Sequence, residues 1–239
     1  MERLRNYCNE FGITLDDTAI FRFEKYMRTV LEWNEKINLT SITDENEFII
    51  KHFYDSLTLL HTLDIKEGAK IIDVGTGAGF PGIPLKIARP DVQLTLLDSL
   101  NKRLVFLEEN VLTPLDLTAN VIHGRAEEIS RQNDYREKFD FAVSRAVANL
   151  SSLSEYCLPF VKVGGVFASM KGPESSEEIK QAGNAIKVLG GKVDMVENLT
   201  LPDGSGRSIV SIDKIKHTPE KYPRRGVKIN KNPIADNVR

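Results

Sequence analysis

The sequence predicts an α/β protein: a doubly wound, mostly parallel seven-stranded sheet with a helical cap at its N-terminus. Three observations carry this reading. Short apolar runs alternate with helical stretches after Gly68, a glycine-rich turn follows the first of those runs, and the chain before Gly68 shows apolar residues at spacings of three and four. At 239 residues, 41% hydrophobic and 28% charged, the chain has enough apolar material for a full core. The expected division is a helical cap over 1–67, a ligand-binding α/β domain over 68–215 and a basic tail over 216–239.

The cap comes first. From about Asp16 to Leu63, Phe23, Met27, Val30 and Leu31 share one helix face, and Phe48, Ile49, Phe53, Leu57 and Leu60 share another. Asp44, with Glu47 three residues on, has the form of an N-cap pair opening the second stretch. The following strands are expected at Lys70–Val74, Gln93–Leu97, Ala119–His123, Phe139–Ser144 and Gly165–Met170. Between the second and third, Leu100, Leu104, Leu107 and Val111 mark a helix. Such alternation implies parallel strands covered on both faces. Val193–Leu201 and Arg207–Ile215, joined through Pro202-Asp203-Gly204-Ser205-Gly206, break the rhythm and predict an antiparallel pair at one edge.

Bulk charge excludes little except a uniformly basic surface. The net charge is −2, yet residues 214–239 hold eight bases against two acids, so the tail carries +6 and the remainder −8. An anionic partner would be held locally. Cys8 and Cys157 have no paired spacing, which suggests neither disulfide nor zinc, and Cys157 reads as core. The charged N-terminus and the absence of a long apolar run predict a cytoplasmic, membrane-free protein, expected to be a monomer.

The sharpest local signal is Ile71-Ile72-Asp73-Val74-Gly75-Thr76-Gly77-Ala78-Gly79-Phe80-Pro81-Gly82, a strand entering a glycine-rich turn and then a helix. Gly75, Gly77 and Gly79 permit positive φ and close approach of a ligand, although a plain tight turn uses the same residues. Phe80 stands where a dinucleotide fingerprint wants its third glycine. Asp73 would repel a pyrophosphate but suits a ligand with an ammonium and a sulfonium, which points to S-adenosyl-L-methionine. Asp98 ends the second strand, where nucleotide-binding α/β proteins place an acceptor for ribose hydroxyls. Ala126 and Glu127 follow the third strand, where their backbone could bracket an adenine edge or simply start a helix. Arg145 leaves the fourth strand at the edge where ligands sit, and is expected near the methionine carboxylate or the substrate.

Methyl transfer from a sulfonium is chiefly alignment. The fourth-strand end has no Asn-Pro-Pro-aromatic motif for an exocyclic amine and no Pro-Cys nucleophile for a pyrimidine carbon, which leaves a nucleophile with its own lone pair, such as a purine ring nitrogen. No catalytic residue is assigned beyond Arg145 as a candidate, and no metal site. A small-molecule methyltransferase of the same fold, a nicotinamide dehydrogenase and a non-catalytic RNA-binding assembly factor with a vestigial pocket are the rivals. The basic tail, Asp73 with Phe80, and the intact loop with Asp98 argue against them in turn.

The sequence resembles the 16S ribosomal RNA guanine-N7 methyltransferases, the glucose-inhibited division protein B family. The resemblance covers Glu32-Trp33-Asn34-Glu35-Lys36-Ile37-Asn38-Leu39-Thr40, His52-Phe53-Tyr54-Asp55-Ser56-Leu57, the glycine loop through Pro84, Asp98-Ser99-Leu100-Asn101-Lys102-Arg103, Gly124-Arg125-Ala126-Glu127, Ser144-Arg145-Ala146 and Lys221-Tyr222-Pro223-Arg224-Arg225. It implies a class I S-adenosylmethionine-dependent methyltransferase fold, with Gly75, Phe80, Ala126, Glu127 and Arg145 on the cofactor. The implied substrate is a guanine of 16S ribosomal RNA near the decoding region, free or in a small-subunit particle. Lys221, Arg224, Arg225, Lys228 and Lys231 would meet RNA phosphates, although a solubilising tail has the same composition. His52 and Asp55, three apart on a helix, fit a surface pair as well as a pocket role. Val227 and Ile229 stand where the family usually has glycine and proline, which leaves the tail's path open.

Overall fold

The computed structural model describes residues 1–145, 148–173 and 175–234. Ala146 and Val147 of the fourth-strand motif, and the tail's last five residues with Asp236 and Arg239, lie outside them. The cap opens with α1 (Glu2–Glu10) and α2 (Asp17–Asn34). α1 was not expected, because its charge masks a sparse apolar face, of which Leu4 and Cys8 are buried. Asp16 caps α2 by accepting from Ala19 N at 2.7 Å, and Asp44 accepts from Glu47 N at 2.9 Å, the contact its spacing predicts. Asp44 thereby starts α3 (Glu45–Phe48), which runs through a π-helical stretch, Ile49–Tyr54, into α4 (Asp55–Leu57) and then α5 (Leu59–Thr62).

β1 (Lys70–Val74), α6 (Gly82–Ala88), β2 (Gln93–Asp98), α7 (Asn101–Phe106), β3 (Asn120–His123), α8 (Ala126–Ile129), β4 (Phe139–Arg145), α9 (Leu150–Cys157) and β5 (Val161–Lys171) follow. After α10 (Ser176–Val188) come β6 (Gly191–Thr200), β7 (Gly206–Lys214) and α11 (Gly226–Lys231). The sheet order is β3-β2-β1-β4-β5-β7-β6, with β1 to β5 parallel and β7 antiparallel to both its neighbours. The antiparallel pair thus occupies one edge, with β7 inserted between β5 and β6.

Alternate residues of each strand enter different cores, as the period of two requires. Ile71, Leu94, Leu96, Phe141 and Val143 pack with the cap, α6 and α7, whereas Ile72, Leu97 and Ala142 pack with α9 and α10. The first core is continuous from Leu4 to Ile209, so no break in packing separates the cap from the sheet at Gly68. Its centre is aromatic: Phe53 lies 4.8 Å from Phe23 and 5.6 Å from Tyr26, and Tyr26 lies 5.4 Å from Phe80. Burial of each such ring is worth about 2–3 kcal/mol, with about 1 kcal/mol more per ring pair. This cluster joins the cap directly to the glycine loop.

Candidate cofactor cavity

In this topology β1 is the switch point, because the chain winds outward through β2 and β3 before returning to β4 on β1's other side. A cavity of about 540 Å³ opens at the carboxyl ends of these strands. Gly75, Gly77, Phe80, Asp98, Ala126, Glu127 and Arg145 line it, together with His52, Arg103 and Arg125.

The loop is set by backbone necessity. Gly75, Gly77 and Gly79 have φ of 74°, 60° and 102°, a region in which a side chain is strained. A Cβ on Gly77 would meet no atom closer than 4.0 Å, so the open cradle there is left to a ligand. Gly77 N donates to Asp98 Oδ2 at 2.9 Å, and Leu100 N donates to Asp98 Oδ1 at 2.8 Å. Asp98 is 5% exposed, and each oxygen keeps a lone pair for a further donor. Its size, the glycine cradle and this carboxylate fit a nucleoside-bearing cofactor such as S-adenosylmethionine.

Two expected loop contacts are corrected. Asp73 does not line the cavity. It is fully buried beneath the loop, where Oδ2 accepts from Thr76 Oγ1 at 2.6 Å and Gly82 N at 2.9 Å while Oδ1 has no partner. Burial raises its pKa to about 6 against those hydrogen bonds. It braces the loop and the start of α6, and its expected contact with the ligand's ammonium is replaced by contacts with the Thr76 hydroxyl and the Gly82 backbone N–H. Gly79 also faces away, since a Cβ there would stand 2.6 Å from both Ile83 and the Tyr26 hydroxyl. Its lack of a side chain admits α2, whose Tyr26 donates to Ala78 O.

Arg145 is seized by the cap. Nη1 donates to Lys51 O at 2.8 Å and to Asp55 Oδ2 at 3.1 Å, and Nη2 donates to His52 Nδ1 at 3.0 Å. His52 therefore carries its proton on Nε2 and donates it to Thr40 Oγ1 at 2.7 Å. Burial, then the charge of Arg145, pushes His52 down to about 3, so the ring is neutral. It stacks on Phe80 at 4.4 Å and 12°, and the Arg145 guanidinium lies 5.0 Å from that ring. Asp55 also meets Arg207 Nε at 3.2 Å. Neither His52 nor Asp55 belongs to a surface pair, for both are buried.

The tail packs back onto the α/β domain. Arg131 and Arg136 donate to carbonyls between Thr218 and Pro223. Arg224, expected on RNA phosphate, is corrected: it pairs with fully buried Glu155, Nη2 to Oε2 at 2.7 Å and Nε to Oε1 at 2.9 Å. A buried carboxylate demands a counter-charge, and this guanidinium supplies it. Lys221, Arg225, Lys228 and Lys231 are exposed. Ile229 is buried and Val227 is exposed, so α11 follows a helical path where glycine and proline were expected. Gly226 packs so closely on Glu127 that a Cβ would fall 2.0 Å from Oε1. Asn230, which accepts from the Tyr156 hydroxyl at 2.9 Å, joins Tyr156 in the cavity wall. Sequence reasoning passed over these last two, because nothing in their local spacing announces a site 74 residues apart in the chain.

Comparison with known proteins places this architecture. Residues 19–208 match the family model described as rRNA small subunit methyltransferase G. A protein of that name from Alkaliphilus metalliredigens is 52% identical over 233 residues, covering 97% of each chain, and one from Thermoanaerobacter is 49% identical over 236 residues, covering 98% of each. Among solved structures, a SAM dependent methyltransferase from Aquifex aeolicus shares the fold at a TM-score of 0.55 and 18% identity, covering 77% of this chain and 98% of its own. TrmN from Thermus thermophilus does so at 0.52 and 16%, covering 67% and 48%. With a family model spanning most of its length and relatives at half identity end to end, the chain belongs to the rRNA small subunit methyltransferase G family.

Proposed function

We propose that this chain transfers the methyl group of S-adenosylmethionine to N7 of a guanine in 16S ribosomal RNA. The observation that carries the reading is the cavity at the β1 switch point, in which Asp98 and the open Gly77 cradle meet in a chain of this family. When bound, S-adenosylmethionine supplies an electrophilic methyl on a sulfonium. Asp98 would accept from the ribose hydroxyls, Gly75 and Gly77 would admit the cofactor to the backbone, Ala126 and Glu127 would border the adenine, and Phe80 with Arg145 would border the methionine end. Guanine N7 has a lone pair and no proton, so the acceptor needs no base. His52 is unsuited to be one, with both ring nitrogens engaged. The protein's part is alignment and exclusion of water.

Exposed Lys221, Arg225, Lys228 and Lys231 hold RNA phosphates, which positions the substrate without choosing the base. The protein works in the cytoplasm as a monomer on 16S RNA or a small-subunit particle; among the described residues no helix is long and apolar enough to cross a membrane. The test has two parts. Calorimetry is expected to show binding of S-adenosylmethionine and its demethylated product but not NAD. Single-turnover reaction with small-subunit particles lacking the modification is expected to yield 7-methylguanosine, mapped by cleavage, at a rate flat between about pH 6 and 9. Methyl on an exocyclic amine or a pyrimidine carbon, or cofactor binding without transfer to RNA, would replace this reading.

A further inference from the structure

Arg145 ends β4, so the sheet fixes its backbone but not the far end of a long, flexible side chain. Among the described residues its three acceptors, Lys51 O, His52 Nδ1 and Asp55 Oδ2, all come from a five-residue stretch of the cap. That stretch includes most of the π-helical turn Ile49–Tyr54, a geometry that alters which carbonyls the helix consumes and that recurs at functional sites. Asp55 is 2% exposed and does not line the cavity, yet it supplies the carboxylate facing Arg145 and a second oxygen to Arg207 of β7.

We infer that Asp55 is a positioning residue for methyl transfer: it locks the Arg145 guanidinium at the cavity wall and offsets part of its charge there. The inference rests on the cavity being the S-adenosylmethionine site. Two physical arguments support it. Among the described residues the clamp engages three of the five guanidinium N–H groups, which leaves two to meet a ligand in a fixed direction. The cofactor is a cation, and methylation at guanine N7 places positive charge on the base. A bare guanidinium would raise the cost of both in a site of low dielectric, and the Asp55 carboxylate, which Arg145 shares with Arg207, offsets part of that charge. His52 completes the clamp as a neutral acceptor whose proton is committed to Thr40, so Arg145 faces an imidazole lone pair and not a second cation. The cap thereby acts on the site through Arg145.

The experiment compares wild type, Asp55→Asn, Arg145→Lys and the double variant as full chains, by cofactor calorimetry and single-turnover methylation of unmodified small-subunit particles, with thermal unfolding alongside. Each single change is expected to slow transfer by about ten- to a hundredfold, the scale of a lost charge-assisted contact. Because both act on one guanidinium, the double variant is expected to be no slower than the worse single by more than about threefold. Loss of fold stability alone would not produce that saturation in folded protein. Should Asp55→Asn fail to fold, His52→Leu removes the neighbouring acceptor at similar volume and is read against Arg145→Lys in the same way. A folded Asp55→Asn protein with wild-type rate and cofactor Kd, or losses that multiply in the double variant, overturns the inference. A wild-type chain that binds neither S-adenosylmethionine nor its product overturns the reading of the cavity instead.

Discussion

Asp98 does two tasks with one carboxylate. It ties the glycine loop to the turn after β2 through Gly77 N and Leu100 N, and it presents its remaining lone pairs to the cavity. Asp98→Ala is therefore expected to weaken S-adenosylmethionine binding by about 1.5–3 kcal/mol, measured by calorimetry. His52 and Asp73 give a second test at this scale, because burial shifts them in opposite senses. His52 takes up a proton near pH 6.5 when unfolded and only near 3 when folded, so its contribution to stability is complete above 6.5 and is lost as pH falls toward 3. Asp73 keeps its proton up to about 6 when folded but only to 3.8 unfolded, so its contribution is complete below 3.8 and is lost as pH rises through 6. The two slopes oppose each other between about pH 4 and 6. In denaturant titrations, His52→Leu is expected to lower the slope of stability against pH by about 1.4 kcal/mol per unit in that window relative to wild type. An unchanged slope would mean that the folded state accepts a His52 proton.

At the scale of elements, the glycine loop and α11 are both fitted from the side away from the cavity. Gly79→Ala combines a φ of 102° with contacts of 2.6 Å to Ile83 and Tyr26, and is expected to cost at least about 2 kcal/mol by chemical denaturation. Arg224→Ala leaves Glu155 buried without a counter-charge and is expected to cost about 3–5 kcal/mol, and with it the anchorage of α11. Since Asn230 and Gly226 of α11 border the cavity and Glu127, the same variant should also weaken cofactor binding. Tail and cofactor effects are thus linked at Arg224.

For the whole molecule, the separable tail residues are the exposed ones. Changing Arg225, Lys228 and Lys231 together to Ala is expected to leave cofactor Kd intact and to lower the slope of log RNA affinity against log salt by about 2 to 3, at 0.7–0.9 per phosphate contact. An unchanged slope would remove these residues from the RNA interface. The fold was legible in most of its parts: all seven strands appear near their expected places, as does the antiparallel edge, because alternation of apolar residues and the turn chemistry at 202–206 are local signals. The α1 helix was not, because it is short and mostly charged or polar, and its few apolar residues are buried by contacts with distant parts of the cap. At the site, Gly77, Phe80, Asp98 and Arg145 were readable from a motif and from strand ends.

The sequence by itself determined the sheet, the place of the cavity on it and the acceptor, Asp98, that stands beside the glycine loop. Those follow from short-range rules: period, glycine conformation and the position of an acid at a strand end. Only the tertiary structure decided that Asp73 and Gly79 serve the loop from behind, that Arg224 belongs to Glu155, and that Arg145 is held by Asp55 across 90 residues of chain. The reason is physical. A charged side chain advertises the need for a partner but not which one, and that choice is made when folding removes water from the pair and brings together elements that no local pattern connects.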